Sequence, residues 1–274
     1  MPNPPDENAL GKFLRERRRR LDPGPLGLSL ERRRTPGLRR EEVALRAHVS
    51  PAWYTWLEQG RGGFPSADVL DRLARGLDLN PAEREFLFLL AGVGIRVDPS
   101  PETVDPGLQR LLDSLEFSPA MVRTSAWDVV AANAAARLLL APGTPEPSRF
   151  NVLENFFLHS HDPDARPGTP WWEAARSIVA GFRLEAFRAG FGLRAREVVS
   201  GLVDRSVPFA QLWNQWEISA SPRWSKTFLL AGAASASFES TTFAVQFSPG
   251  LTLLVFTPVT DTDRDTVKRL LVPG

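Results

Sequence analysis

The chain has 274 residues, 43% of them apolar and 24% charged, which is ordinary globular composition and long enough for two domains. It has no cysteine, one tyrosine and three histidines (His48, His159 and His161), which excludes disulfides and thiolate chemistry and leaves little for acid–base catalysis. The net charge of +1 hides a division: residues 10–61 hold 13 Lys/Arg against 6 Asp/Glu, whereas residues 99–274 hold 16 against 18. A basic segment joined to a near-neutral remainder is the pattern of a nucleic-acid-binding module with a partner domain. No apolar run is long enough to span a membrane and the first residues lack a secretory pattern, so a cytoplasmic, non-enzymatic protein without membrane association is expected.

Residues 8–21 carry the periodicity of a helix, closed by Asp22-Pro23-Gly24-Pro25. After the basic stretch Arg32-Arg33-Arg34, helix resumes at Leu38 or Arg39 and runs to about Ala47. Ser50-Pro51 is a helix start, because serine accepts from the orphan amides and proline suits the first turn, and this helix ends at Gly60. Ser66 and Asn80-Pro81 start two more, over about 66–77 and 81–91. Five helices over residues 1–96 form one domain, 97–106 (three prolines and three acids in VDPSPETVDP) reads as a linker, and 107–274 forms the second domain. There, 119–123 and 129–132 read as strands and 133–140 as a helix, followed by helices over 151–158, 171–189, 195–204 and 208–217. Strands are expected at 228–230, 235–238, 243–247 and 251–256, with Pro249-Gly250 as a hairpin turn and a last helix at 262–271. The fold class is α+β.

The second and third helices fit a helix-turn-helix. Ala44 and Ala47 are small where two helices must touch, His48 stands where the turn needs positive φ, and Val49 plugs the core. Tyr54 and Leu57 point inward, which leaves Pro51, Ala52, Trp53, Thr55 and Trp56 outward; the bland alternative for the two tryptophans is packing against Phe64 or the arginine-rich loop. The segments Arg33 to Ala44, Val49 to Arg61 and Pro65 to Leu70, together with Trp127 to Ala136, Ser206 to Trp213 and Lys226 to Phe228, resemble the MmyB-like transcription regulators, a branch of the XRE helix-turn-helix proteins. The resemblance implies a five-helix XRE-type domain followed by a PAS-like domain, an antiparallel sheet with flanking helices. It also implies Arg40 and Ser50 on DNA phosphates, Pro51, Ala52, Thr55 and Trp56 at the groove, and a buried ion pair between Arg18 and Glu58; Arg39, Arg61 and the outward Trp53 complete the DNA-binding candidates. Two departures stand out: His48 replaces the usual glycine of the turn, and Trp56 replaces the usual arginine on the recognition helix.

The second domain carries 13 Phe and 6 Trp over residues 99–274, and its last strands read as apolar on both faces, so each face needs a cover. Neighbouring aromatics are one filler and a bound apolar molecule is the other; the family resemblance implies a fatty-acid-like ligand. The residues expected to line it are Trp127, Phe156, Phe157, Trp213, Trp216, Phe228, Phe238, Phe243, Phe247 and Phe256, with Arg223 or Lys226 available to a carboxylate head. His159 and His161 are too weak a pattern for a metal site, and neither metal nor cofactor is expected. The expectation is a sequence-specific, homodimeric regulator of double-stranded DNA that senses a hydrophobic molecule. The alternatives are a second domain that serves only dimerisation or protein interaction, and an enzyme that uses the first domain for targeting.

Overall fold

The computed structural model describes residues 8–29, 33, 36–61, 63–93, 104–140, 150–158, 166–218, 225–229, 235–246, 248 and 250–271. The first domain is a bundle of α1 (Ala9–Arg20), α2 (Arg40–Arg46), α3 (Pro51–Glu58), α4 (Ala67–Gly76) and α5 (Pro81–Leu90). Three helix starts obey the expected chemistry: Ser50 accepts from the Trp53 amide, Ser66 from the Val69 amide, and Asn80 from the Glu83 amide, while the Glu83 carboxylate accepts from the Asn80 amide. Phe13, Leu14, Leu38, Val43, Tyr54, Leu57, Leu70, Leu73, Phe86 and Leu87 close the core.

One charged cluster lies inside that bundle. The fully buried Glu58 carboxylate accepts from Arg18 Nε (2.6 Å) and Nη2 (3.2 Å) and from Arg40 Nε (2.8 Å). Arg18 also donates to the Leu38 carbonyl at 2.9 Å, so this ion pair ties α1 to α3 and to the entry of α2. The expected pair is there, with Arg40 as a third member. Close backbone approach adds to the constraint: a Cβ on Gly11 would meet the Glu58 carbonyl oxygen at 2.4 Å, which a side chain cannot do.

The second domain runs α6 (Pro106–Ser114), β1 (Ala120–Thr124), β2 (Val129–Ala132), α7 (Ala134–Leu140), α8 (Val152–Leu158), α9 (Pro170–Arg188), α10 (Leu193–Arg205), α11 (Val207–Trp213), β3 (Ser225–Leu229), β4 (Ser235–Ala244), β5 (Leu251–Pro258) and α12 (Asp261–Leu271). The sheet is antiparallel with strand order β2-β1-β5-β4-β3. Buried Asn133 organises its first half, accepting from the Ala120 and Ala136 amides (3.0 and 2.9 Å) and donating to the Leu115 and Ser118 carbonyls (2.8 and 2.9 Å).

Several sequence expectations change here. Helix α6 was not anticipated, and Pro106, assigned to the linker, is its first residue; residues 97–103 of the linker lie outside the described residues. The two strands expected at 235–238 and 243–247 form one strand, β4, which stops at Ala244. Its middle, Glu239-Ser240-Thr241-Thr242, looks like a break, yet Ser240 is 2% exposed and sits opposite Phe256, and threonine suits a pleated strand. Helix α11 ends at Trp213, and Trp216 has φ +53°, incompatible with continuing it. The sheet is not apolar on both faces throughout. Met121, Ala132, Ala236, Phe238, Leu254 and Phe256 pack one face under α7 and α12, and α6 covers the other at Ala120, Val122, Leu251 and Leu253. On that second face β4 presents Ser237, Glu239, Thr241 and Phe243, mostly polar and mostly exposed.

Burial alone would push the Glu58 carboxyl up, but the hydrogen bonds and charges of Arg18 and Arg40 outweigh it and hold it below the usual carboxylate range. Its contribution is therefore complete above the unfolded-state value and fades as pH falls through the lower folded-state value. Glu58→Ala strands Arg18 inside the bundle and should cost about 3–5 kcal/mol in denaturant unfolding of the first domain.

Candidate functional site

Helices α2 and α3 touch where Ala44 and Ala47, both fully buried, allow it. His48 turns the chain at φ +52°, so histidine takes the left-handed position, and the Val49 amide reaches back to the Ala44 carbonyl at 2.9 Å. Gly76 at the end of α4 supports this turn from behind: a Cβ there would meet Ala47 at 3.1 Å, and Arg46 Nε donates to the Gly76 carbonyl at 2.7 Å. The sequence signal for this contact was a glycine inside a helical pattern.

On α3, Tyr54 and Leu57 are buried and Pro51, Ala52 and Trp56 are exposed, Trp56 by 54%. The Thr55 hydroxyl donates to the Pro51 carbonyl at 2.8 Å, turning its oxygen onto the helix backbone. Trp53 departs from its outward assignment, being half-buried against the core of the bundle. Phe64 is 88% exposed, which leaves it no broad contact with either tryptophan. Ser50 is exposed beside the N-terminus of α3, and Arg39 and Arg61 are exposed at its flanks. Arg40, assigned to phosphate, has a second duty as a partner of Glu58 and keeps 39% of its side chain exposed. Within the basic loop, Arg33 forks onto Glu42 (2.8 and 3.0 Å) and donates to the Gly37 and Ser29 carbonyls, so it binds the loop to α2. Arg32 and Arg34 lie outside the described residues.

The aromatic residues of the second domain do not form a single wall. Trp127, Phe156, Phe157 and Trp213 share one cluster with Phe182 and Phe209 among α8–α11. Phe238 and Phe256 belong to the layer between sheet and α12, and Val152 packs against both clusters. Trp216 packs against the first domain instead, and Phe243 is 51% exposed on the open sheet face, so neither joins the other ligand candidates. Phe228 is placed on β3, opposite Ala236, by its backbone; its side chain, that of Lys226, and Arg223, Phe247, His159 and His161 lie outside the described residues. Trp127, with φ +67°, is pinned: its indole N–H donates to Glu185 at 2.7 Å, and the Arg123 guanidinium, itself forked onto Glu185, lies 3.8 Å over its ring. Sequence reasoning missed Arg123 and Glu185, because single charges inside apolar elements read as solvated ones. A separate surface groove of about 740 Å³ lies between the end of α6 and the start of α12, lined by Phe117, Pro258 and Arg264 among others. Among the described residues no group of three potential metal ligands occurs, and no helix is long and apolar enough to cross a membrane.

The two domains meet along α5 and α9. Leu184 and Phe187 of α9, with Trp216 and Ile218 beyond α11, pack into the core of the first domain, where Phe86 makes an edge contact with Phe187 (4.9 Å between ring centres). Arg188 forks onto Glu85 (2.6 Å to each oxygen), Arg17 pairs with Glu83 and reaches the Trp216 carbonyl, and Arg20 meets Glu217 at 2.9 Å. Fully buried Arg183 donates to the carbonyls of Leu212, Trp213 and Glu217 and stacks its guanidinium over Trp213 at 4.5 Å. Burial pushes its pKa down to about 9, with the charge of Glu217 opposing, so it stays a cation at neutral pH.

The ligand binding domain of the MmyB-like transcription regulators matches residues 104–270, and a helix-turn-helix domain matches residues 9–87. The chain belongs to the MmyB-like transcription regulators. This regulator therefore joins a DNA-binding helix-turn-helix domain to a ligand-binding domain, an architecture of transcription regulation rather than of catalysis. No curated protein matches its sequence.

In this regulator the segment 214–218 is held by Arg183 and sandwiched between domains. Arg183→Leu removes the donors from three carbonyls, so amide hydrogen exchange should accelerate at Gln215 and its neighbours while α2 and α3 keep their protection. The expected stability loss is about 2–4 kcal/mol by denaturant unfolding.

Proposed function

We propose that this regulator binds double-stranded DNA as a homodimer, in a sequence-specific manner, and that its C-terminal domain takes an apolar, fatty-acid-like molecule. The observation that carries the DNA half is the outward face of α3, presented by a tight helix pair within the basic part of the chain. In this geometry the N-terminal residues of α3 reach base edges in the major groove, with Ser50, Arg39, Arg40 and Arg61 at the phosphates. One eight-residue helix reads few bases, and two-fold operators match two-fold proteins, which is the argument for a dimer.

The ligand half rests on the family's ligand-binding domain and on chemistry. The cluster among α8–α11 is almost wholly aromatic and aliphatic, which suits an acyl chain and would need no cofactor. Helix α9 contributes Ile178, Val179 and Phe182 to that cluster and Leu184 and Phe187 to the first domain. A molecule that enters the cluster must move α9 or its neighbours, and α9 carries the shift to α5. The ligand acts only through unequal affinity for two arrangements of the domains. Such a regulator works in the cytoplasm, where its operator is.

A purely interacting C-terminal domain is the second reading, and the exposed Leu193 and Val207 (71% each) on the α10–α11 side favour it. Mass spectrometry of an organic extract from denatured protein separates the two. A stoichiometric fatty acid, or saturable binding when a fatty acid is added back, is the expected result. A clean extract with no such binding leaves the interaction reading standing.

For the DNA half, affinity for a promoter duplex should fall by about 10³-fold or more between 50 and 200 mM salt, as counterion release at a dimer's phosphate contacts requires. A flat salt dependence would remove the phosphate contacts assigned to Arg39, Arg40, Ser50 and Arg61.

A further inference from the structure

The outward face of α3 is unusually poor in groups that hydrogen-bond to bases. Proline has no amide hydrogen and no polar side chain, and Pro51 is exposed at the first position of the helix. Ala52 beside it is exposed and offers a single methyl. Thr55 uses its hydroxyl as donor to the Pro51 carbonyl (2.8 Å), which leaves its methyl and an acceptor-only oxygen to meet a base edge. Trp56, 54% exposed, supplies a large apolar face with one indole N–H and none of the paired donors that read guanine. The cations of the region lie around this face rather than on it. Arg40 is engaged by Glu58, Arg33 by Glu42 and Arg46 by the Gly76 carbonyl, while Arg39 and Arg61 are exposed at the flanks.

We propose that this helix reads the C5-methyl groups of thymine, so that the operator half-site is specified by methyl contact with Ala52, Thr55 and Trp56 rather than by hydrogen bonds to guanine. In the major groove thymine is set apart by that methyl, and alanine, the threonine methyl and aromatic faces are the side chains that meet it. The ring of charge around the apolar face suits the occupant: phosphates on the cations at the rim, methyl groups against the centre. An apolar protein partner would not call for the cationic rim. The inference rests on the DNA-binding reading and adds which bases are read and by what contact.

The test begins with selection of bound duplexes from a random DNA pool by the full-length protein. The enriched duplex is then remade with uracil in place of each thymine in turn, a change that removes one methyl and leaves base pairing intact. At two or more positions per half-site, uracil should weaken binding about fourfold, the loss for one buried methyl group. At one of these positions Trp56→Ala should abolish the difference between thymine and uracil while thermal stability is unchanged, since Trp56 is half-exposed and outside the core. Trp56→Arg should shift the selected sequence towards guanine. An enriched motif that is indifferent to uracil everywhere overturns the inference and leaves DNA binding intact. A pool with no enrichment overturns sequence-specific binding itself, and the inference with it.

Discussion

Helix α9 serves two cores at once, and the placement of everything else follows from that. Along its 19 residues, Ala175, Ile178, Val179, Phe182 and Ala186 face the aromatic cluster of the second domain, whereas Leu184 and Phe187 face the first. A helix buried on two sides has no solvent face for a charge at Arg183, and the chain solves this with backbone. The guanidinium takes the carbonyls that end α11 and those of the turn after it, groups that a helix terminus leaves without partners. Each side satisfies the other: the cation is held by backbone carbonyls, with the charge of Glu217 close by, and the carbonyls are capped by its donors. The residues that follow, Trp216 to Ile218, are thereby fixed against the first domain, where Arg17 and Arg20 hold their polar groups. The contact between domains is thus an apolar seam with a polar frame. The exposed pairs of that frame contribute little energy and mainly fix register.

The DNA-binding module uses its arginines in the same divided way. Arg18 is buried and serves only structure, Arg33 ties a loop to α2, and Arg40 is shared between Glu58 and the surface. Glu58 collects two cations because it is the last residue of α3 and faces both α1 and α2, so its ion cluster sets the angle at which α3 leaves the bundle. An error of this angle would move the exposed face of α3 off the base edges, which is why a desolvated carboxylate is worth its cost there. The excess of positive charge in this part of the chain therefore overstates the number of phosphate contacts available.

The parts of the fold that obey local rules were legible in the sequence. Ser50-Pro51, Ser66 and Asn80-Pro81 announce their helices because a cap is a short-range arrangement, and the family resemblance runs through the same residues. His48 was recognisable as the turn residue because the pattern around it, Ala44, Ala47 and Val49, left no other place for the bend. What escaped was set by contacts distant in sequence. Gly76 is small because it meets Ala47, Glu185 is charged because it holds Arg123 and Trp127, and Arg183 is buried because α11 ends above it. None of these partners lies within a helical turn of the other, so no periodicity reveals them. The aromatic load was legible as a load but not as an arrangement, since a phenylalanine between two layers and one within either layer look alike in sequence. Phe243 and Trp216 show the limit: one faces solvent and the other serves the neighbouring domain.

The buried aromatic cluster of the second domain and the exposed apolar face of α3 stand in a definite relation. The aromatic cluster among α8–α11 and the bundle that presents α3 are joined by a path of ring contacts through Phe182, Trp213, Phe191, Phe187, Phe86 and Phe13. Packed interiors do not deform freely, so a change in the volume of the cluster is passed on as a movement of elements and not absorbed where it arises. Within one chain, though, such a movement does not alter how α3 meets a single half-site, because the bundle would move as a body with its ion cluster intact. It alters affinity only where two half-sites at fixed spacing must be met together. On the proposed function, a bound molecule would change DNA affinity through the seam at α5 and α9 only in a dimer, and that requirement ties the ligand reading to the dimer reading.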